Sequence, residues 1–268
     1  MPASRGSSCD TRPSLLIVPL ILCGASVLAA TSAAAQDLFE LEVFRYGGVP
    51  PGDYEVELHA NALSRGGVAA DSVAASHRPA HLSVEVTRGW TDMVETAVFI
   101  QTAPFGPSGS ARFAGGHIRS TLRLGEVSVV PLRVAVSAEY AFNRPAFDHE
   151  MQTLELRSIV DYERGRLAVA VNPSLELVTR GSDDGPEPVF DLSARASWRL
   201  VARVALTTDY FSAAATTRHL QREVSAHHLL FGGFDLDLGG GWDLGVSAGD
   251  CVTSGEPWLM KSVAGYRF

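Results

Sequence analysis

The chain has 268 residues, a hydrophobic content of 46% and a formal net charge of −8 at pH 7. That acidic balance argues against nucleic acid as a partner, and three cysteines are too few for a disulfide scaffold. Beyond residue 35 no apolar run of about twenty residues occurs, so no transmembrane helix is expected.

Arg5 and Arg12 precede the apolar run 15–22, and small residues lead to Ala33-Ala34-Ala35 before Gln36. This is the charged, apolar and small-residue order of a secretory signal peptide. Cleavage is expected after Ala35, giving a mature start at Gln36. Cys23 follows Leu22, where lipoprotein signals resemble one another in carrying a small residue, so lipidation is not expected. The mature chain then keeps Cys251 alone and no internal disulfide. Residues 36–51 form a short leader that breaks at Gly47-Gly48-Val49-Pro50-Pro51. It either hangs in the periplasm or folds into a lumen.

From residue 52 onward, apolar side chains recur at every second position, the period of a strand with unlike faces. Tyr54, Val56 and Leu58 alternate with Glu55, Glu57 and His59. Leu82, Val84 and Val86 alternate with Ser83, Glu85 and Thr87. Val98 and Ile100 oppose Glu95 and Gln101. Ile118 and Leu122 oppose Arg119 and Arg123, and Val134 and Val136 oppose Arg133 and Glu139. Leu154 and Leu156 oppose Glu155, Arg157 and Asp161. In the second half, Leu175 and Leu177 oppose Glu176, while Leu192 and Ala194 oppose Asp191, Arg195 and Arg199. Leu206 and Tyr210 oppose Asp209. Residues 228–238 break the rule, because Leu229 and Phe231 share a face with Asp235 and Asp237. Residues 244–248 and 258–268 complete about twelve strands. Short turns are expected at 89–92, 125–126, 162–165, 201–202 and 239–241. Longer segments are expected at 61–79, 103–111, 143–150, 179–188, 212–224 and 251–257.

An even strand number with alternating short and long connections is the pattern of a transmembrane antiparallel up-and-down β-barrel, an all-β fold. A soluble β-sandwich also alternates, but would not need a polar face on every strand or that turn rhythm. The final segment, ending in Tyr266-Arg267-Phe268, resembles the closing strand of bacterial outer-membrane barrels, in which the terminal aromatic is read by the barrel assembly machinery. On that resemblance Tyr266 and Phe268 are the assembly signal. Trp90, Trp242, Tyr140, Phe142, Tyr210 and Trp258 stand at segment ends, where interfacial aromatics belong.

No compact catalytic motif is present, and no enzyme activity, cofactor or metal is expected. His227 and His228 are adjacent, so in a strand they point to opposite faces and cannot share a metal. The charged rows carry more information, because an Arg or Lys facing the hydrocarbon midplane costs about 2–4 kcal/mol. Glu95, Arg119, Arg123, Arg133, Glu139, Glu155, Arg157, Glu176, Asp191, Arg195, Arg199 and Asp209 are therefore expected to line a lumen. Together with the segment His81–Asp92, Val171-Asn172-Pro173 and the ending Lys261–Phe268, residues 52–268 resemble uncharacterised outer-membrane transporter barrels, among them those linked to phenol degradation by the meta pathway. The resemblance implies a barrel in outer-membrane lipid and transport of a small solute that it does not name. A closed barrel with a structural, adhesive or stress-related role remains the alternative, and an outer-membrane hydrolase a more remote one.

Overall fold

The computed structural model describes residues 41–63, 80–105, 110–127, 130–148, 150–181, 188–212, 228–252 and 258–268. The expected signal peptide, its cleavage site and His227 lie outside these residues. Twelve strands form one closed antiparallel barrel in which every strand pairs with its chain neighbours. They are β1 (Tyr54–Leu63), β2 (Ala80–Gly89), β3 (Val94–Phe105), β4 (Ser110–Val127), β5 (Leu132–Asn143) and β6 (Gln152–Arg164). They continue with β7 (Leu167–Arg180), β8 (Val189–Val201), β9 (Val204–Ser212), β10 (His228–Gly239), β11 (Trp242–Cys251) and β12 (Leu259–Arg267). β1 and β12 close the ring through nine register pairs from Glu55↔Arg267 to Leu63↔Leu259. The seam ends in a reciprocal pair of backbone bonds between Tyr54 and Phe268, each 2.9 Å. Closure leaves no edge strand whose polar backbone would face lipid.

The two faces of the wall differ as the period of two requires. On β4, Ile118 is 49% exposed and its neighbour Arg119 5%. Leu122, Leu154, Leu156, Leu175, Leu206 and Phe234 are likewise exposed, while Glu85, Thr121, Arg123, Asp161 and Asp209 are buried. Apolar groups outside and ionic groups inside invert the arrangement of a soluble protein. This is the cross-section of a barrel whose outer solvent is hydrocarbon.

Two boundaries differ from the sequence expectation. Gly125-Glu126 is not a turn: β4 continues to Val127, and Gly125 (φ 107°) sits in a bulge between register pairs Arg123↔Ala135 and Gly125↔Val134. A glycine tolerates that positive φ and reads locally as a turn former. Similarly, 103–111 is not one long loop, because Ala103↔Arg112, Pro104↔Ala111 and Phe105↔Ser110 extend the β3–β4 ladder and leave only 106–109 between the strands. The remaining connections keep the expected alternation of short and long.

Aromatic rings ring the short-turn rim. Trp242 and Tyr266 are 4.5 Å apart between centroids, Tyr266 and Phe268 5.6 Å, and Phe268 and Tyr54 5.9 Å. Arg88 lies over Trp90 at 4.1 Å. At the opposite rim Tyr210 bonds His228 Nδ1 at 2.7 Å, and Phe113 packs on Phe142.

Candidate functional site: an occupied, charged lumen

Residues 36–40 of the expected leader lie outside the described residues. Residues 41–50 run through the lumen, from Leu41 in the long-loop half to Pro50 at the short-turn rim. Nothing in their sequence has strand period, so their backbone groups bond to the wall instead of to a ladder. Phe44 N–H donates to Asn172 Oδ1 at 2.7 Å, and Asn172 Nδ2 donates back to the Phe44 carbonyl at 3.1 Å. Lys261 Nζ donates to the Leu41 carbonyl at 3.0 Å. Arg123 Nε donates to the Tyr46 carbonyl at 3.1 Å, and Val49 N–H to Glu95 Oε2 at 3.0 Å. At the rim Gly52 N–H bonds the Gly89 carbonyl at 2.9 Å. Pairing these polar groups offsets the cost of taking them out of water.

The apolar side chains of the segment have their own seats. Leu41 and Val43 pack with Ala170, Phe211, Leu229, Phe231, Cys251 and Leu259. Phe44 packs with Ala135, Ile159 and Tyr46, and the guanidinium groups of Arg119 and Arg157 lie over its ring at 3.9 Å and 4.4 Å. This explains the irregular face of β10: Leu229 and Phe231 point inward because an apolar segment lies there. The inward Phe99, Ile159 and Phe211 went unnoticed in the sequence. The only signal for them was an apolar residue out of phase in an otherwise alternating strand.

The charged residues expected to line the lumen fall into ion-pair groups around this segment. Arg45 and Arg133 both engage Asp161, Arg133 at 2.5 Å, and Glu163 joins Arg133 at 3.1 Å and Arg199 at 3.2 Å. Arg123 pairs with Glu95, and Arg119 with Glu85 at 2.8 Å. Asp209 takes Lys261 at 2.5 Å and Arg195 at 3.2 Å, and Arg195 also reaches Asp235 at 2.9 Å. Arg157 pairs with Glu155 at 2.7 Å. Arg119, Arg123, Glu139 and Asp209 are buried, whereas Arg133, Glu155, Arg157, Glu176, Asp191 and Arg195 are intermediate. Arg199 is more than half exposed. Register also creates an acidic row that strand order alone did not suggest, Glu139 opposite Glu155 and Glu155 opposite Glu176.

Space remains beside the segment. A cavity of about 370 Å³ borders Leu41 and Glu42 and is walled by Glu57, Arg195, Asp235, Asp243 and Lys261. No family model and no curated protein matches the sequence. Solved barrels do match the fold. The KdgM porin, in a complex with disordered oligogalacturonate, is 7% identical with a TM-score of 0.56, over 80% of this chain and 99% of that one. An outer membrane channel from Pseudomonas putida F1 is 8% identical with a TM-score of 0.57, over 85% of this chain and all of that one. At such identities the likeness is one of fold.

Proposed function

We propose that the protein is an outer-membrane channel for small solutes, with residues 41–50 as a lumenal plug that sets how far it is open. The observation that carries this reading is the way the segment is held. Its contacts to Asn172, Arg123, Glu95, Asp161 and Lys261 are hydrogen bonds and ion pairs to side chains, none a strand ladder. Such contacts can exchange for water without unravelling the wall. The charged cavity beside the segment supports a path along the β8–β12 side. Likeness in fold to two channel proteins supports the class and the outer-membrane location, and the sequence resemblance adds a small solute that it does not name. Its coupling to phenol degradation is part of this proposal. Lumenal charge would set ion preference, as in other pores.

The same plug favours a second reading, a barrel that stays shut and acts structurally. Single-channel conductance in planar bilayers separates the two. The channel reading expects small, resolvable conductance in the mature chain and larger steps in Arg45→Ser, which removes the plug's cation from Asp161 and Glu163. A folded, heat-modifiable barrel that passes no current in either form would leave the structural reading.

A further inference from the structure

Glu57 on β1 and Glu85 on β2 are direct register partners. Like charges placed opposite across a ladder destabilise the pair, so this placement calls for a cation. Glu42 brings a third carboxylate from the plug and His59 an imidazole, and one ligand-capable atom of each of the four lies within 4.8 Å of all the others. His59 Nε2 is 3.4 Å from Glu85 Oε2 and 3.8 Å from Glu57 Oε2. The His59 and Glu85 side chains are only 5% and 2% exposed. Even so, apart from this contact with each other, neither His59 Nε2 nor Glu85 Oε2 has a hydrogen-bond partner among the described residues. The other oxygen of Glu85 is satisfied by Thr87 at 2.7 Å and Arg119 at 2.8 Å. Two atoms on one ion at about 2.0–2.2 Å lie roughly 3.4 Å apart when the geometry is tetrahedral. The spacing fits shared ligation better than hydrogen bonding.

Charge gives the same answer. Arg119 pairs with Glu85 at 2.8 Å, and with a neutral His59 a divalent ion offsets the charge of the other two carboxylates, Glu42 and Glu57. An imidazole among carboxylates suits zinc and its transition-metal neighbours, whereas calcium and magnesium prefer oxygen alone. We propose that Glu42, Glu57, His59 and Glu85 bind a divalent transition-metal ion of the zinc class, which pins the lumenal segment to β1 and β2. Glu42 comes from the segment and the other three from the wall, so the ion is a latch between them.

The test uses the full mature chain, stripped with a chelator and dialysed against zinc. Metal is counted by mass spectrometry, affinity is read by competition with a zinc indicator, and amide exchange is followed over residues 41–50. One zinc per chain is expected, with slower exchange across 41–50 when it is bound. Glu57→Gln and His59→Gln should each weaken binding about tenfold or more, and Glu42→Gln, which leaves the wall intact, should abolish the zinc effect on exchange. Zinc retained at wild-type affinity by all three variants is surface zinc and overturns the proposal. So does a folded wild type that holds no stoichiometric zinc, or one whose plug exchange follows pH but not metal, in which case protons neutralise the cluster. No readout depends on solute flux, so failure of the channel reading and failure of the metal site are separate results.

Discussion

Replacing Asn172 by Ala should loosen the plug while leaving the barrel whole. Asn172 is 1% exposed and spends both ends of its amide on one residue, accepting from Phe44 N–H at 2.7 Å and donating to the Phe44 carbonyl at 3.1 Å. Alanine removes two buried hydrogen bonds and strands a buried N–H and C=O. A buried bond contributes about 1 kcal/mol net, and an unsatisfied buried group costs about 1–3 kcal/mol, so the clamp is worth about 2–4 kcal/mol. That is a roughly 30- to 700-fold larger open population of the segment, at 1.4 kcal/mol per decade. The seat of the Phe44 ring against Ala135, Ile159 and the two arginines is untouched, so release is local. The assay is amide exchange in the purified barrel. Phe44 and its neighbours should lose protection by that factor, while the amides of β6 and β7 keep theirs. Unchanged exchange at Phe44 in a folded Asn172→Ala barrel would show that the clamp carries no energy and that the apolar contacts alone hold the segment.

Gly48→Val should displace the plug base, because even a Cβ at this position would stand 1.5 Å from Arg123 Nη2, and that arginine is fixed by Tyr46, Asp92 and Glu95. Protease cleavage near residue 48 measures it, and wild-type resistance would refute it. Ile118→Arg should destabilise the barrel in lipid by about 2–4 kcal/mol, read from urea unfolding in vesicles, and Leu156→Arg should act similarly. Equal stability would mean that these exposed side chains do not face hydrocarbon. Deleting Phe268 removes a backbone pair with Tyr54 and two aromatic neighbours. It should lower the yield of heat-modifiable barrel in cells, and normal assembly would count against its role as a signal. Raising salt should increase exchange at residues 45–49 more than at 41–44, because ion pairs are screened and apolar seats are not. A uniform response would contradict that division.

The wall was legible in the sequence because one physical rule governs it. Strands between hydrocarbon and a polar interior must change character at every residue, and the rows Ile118/Arg119 and Leu156/Arg157 show this without any tertiary information. Where a second rule intervened, the reading slipped. Gly125 looked like a turn because a bulge and a turn both use positive φ, and the extra β3–β4 pairs were hidden by Pro104 and Gly106. The plug was least visible of all. Residues 41–50 make no periodic contacts, and the polar groups they bind are scattered over β3, β4, β6, β7 and β12. Only Leu229 and Phe231, apolar on a charged face, hinted that something apolar lay within.

Those two residues bear on what the lumen is for. A water-filled barrel would gain nothing from burying Phe99, Ile159, Phe211 and Phe231 on its inner face, and with the segment gone the apolar surface of the last three would meet water. A barrel sealed only by mutual charge pairing would not need them either, since Arg195, Asp209, Asp235 and Lys261 already close a network among themselves. The inner face instead carries two kinds of partner in two places. Apolar seats take Leu41, Val43 and Phe44 in the middle and long-loop half, and ionic or backbone partners take Arg45, Tyr46 and Val49 toward the short-turn rim. An ionic contact in a partly wet lumen is weak and salt-sensitive, while an apolar seat releases only when its surface can be hydrated or covered by something else. The two halves of the segment therefore answer to different triggers. Charge and salt act at the Arg45–Val49 end, whereas the Leu41–Phe44 end yields only when its apolar seats are hydrated or covered.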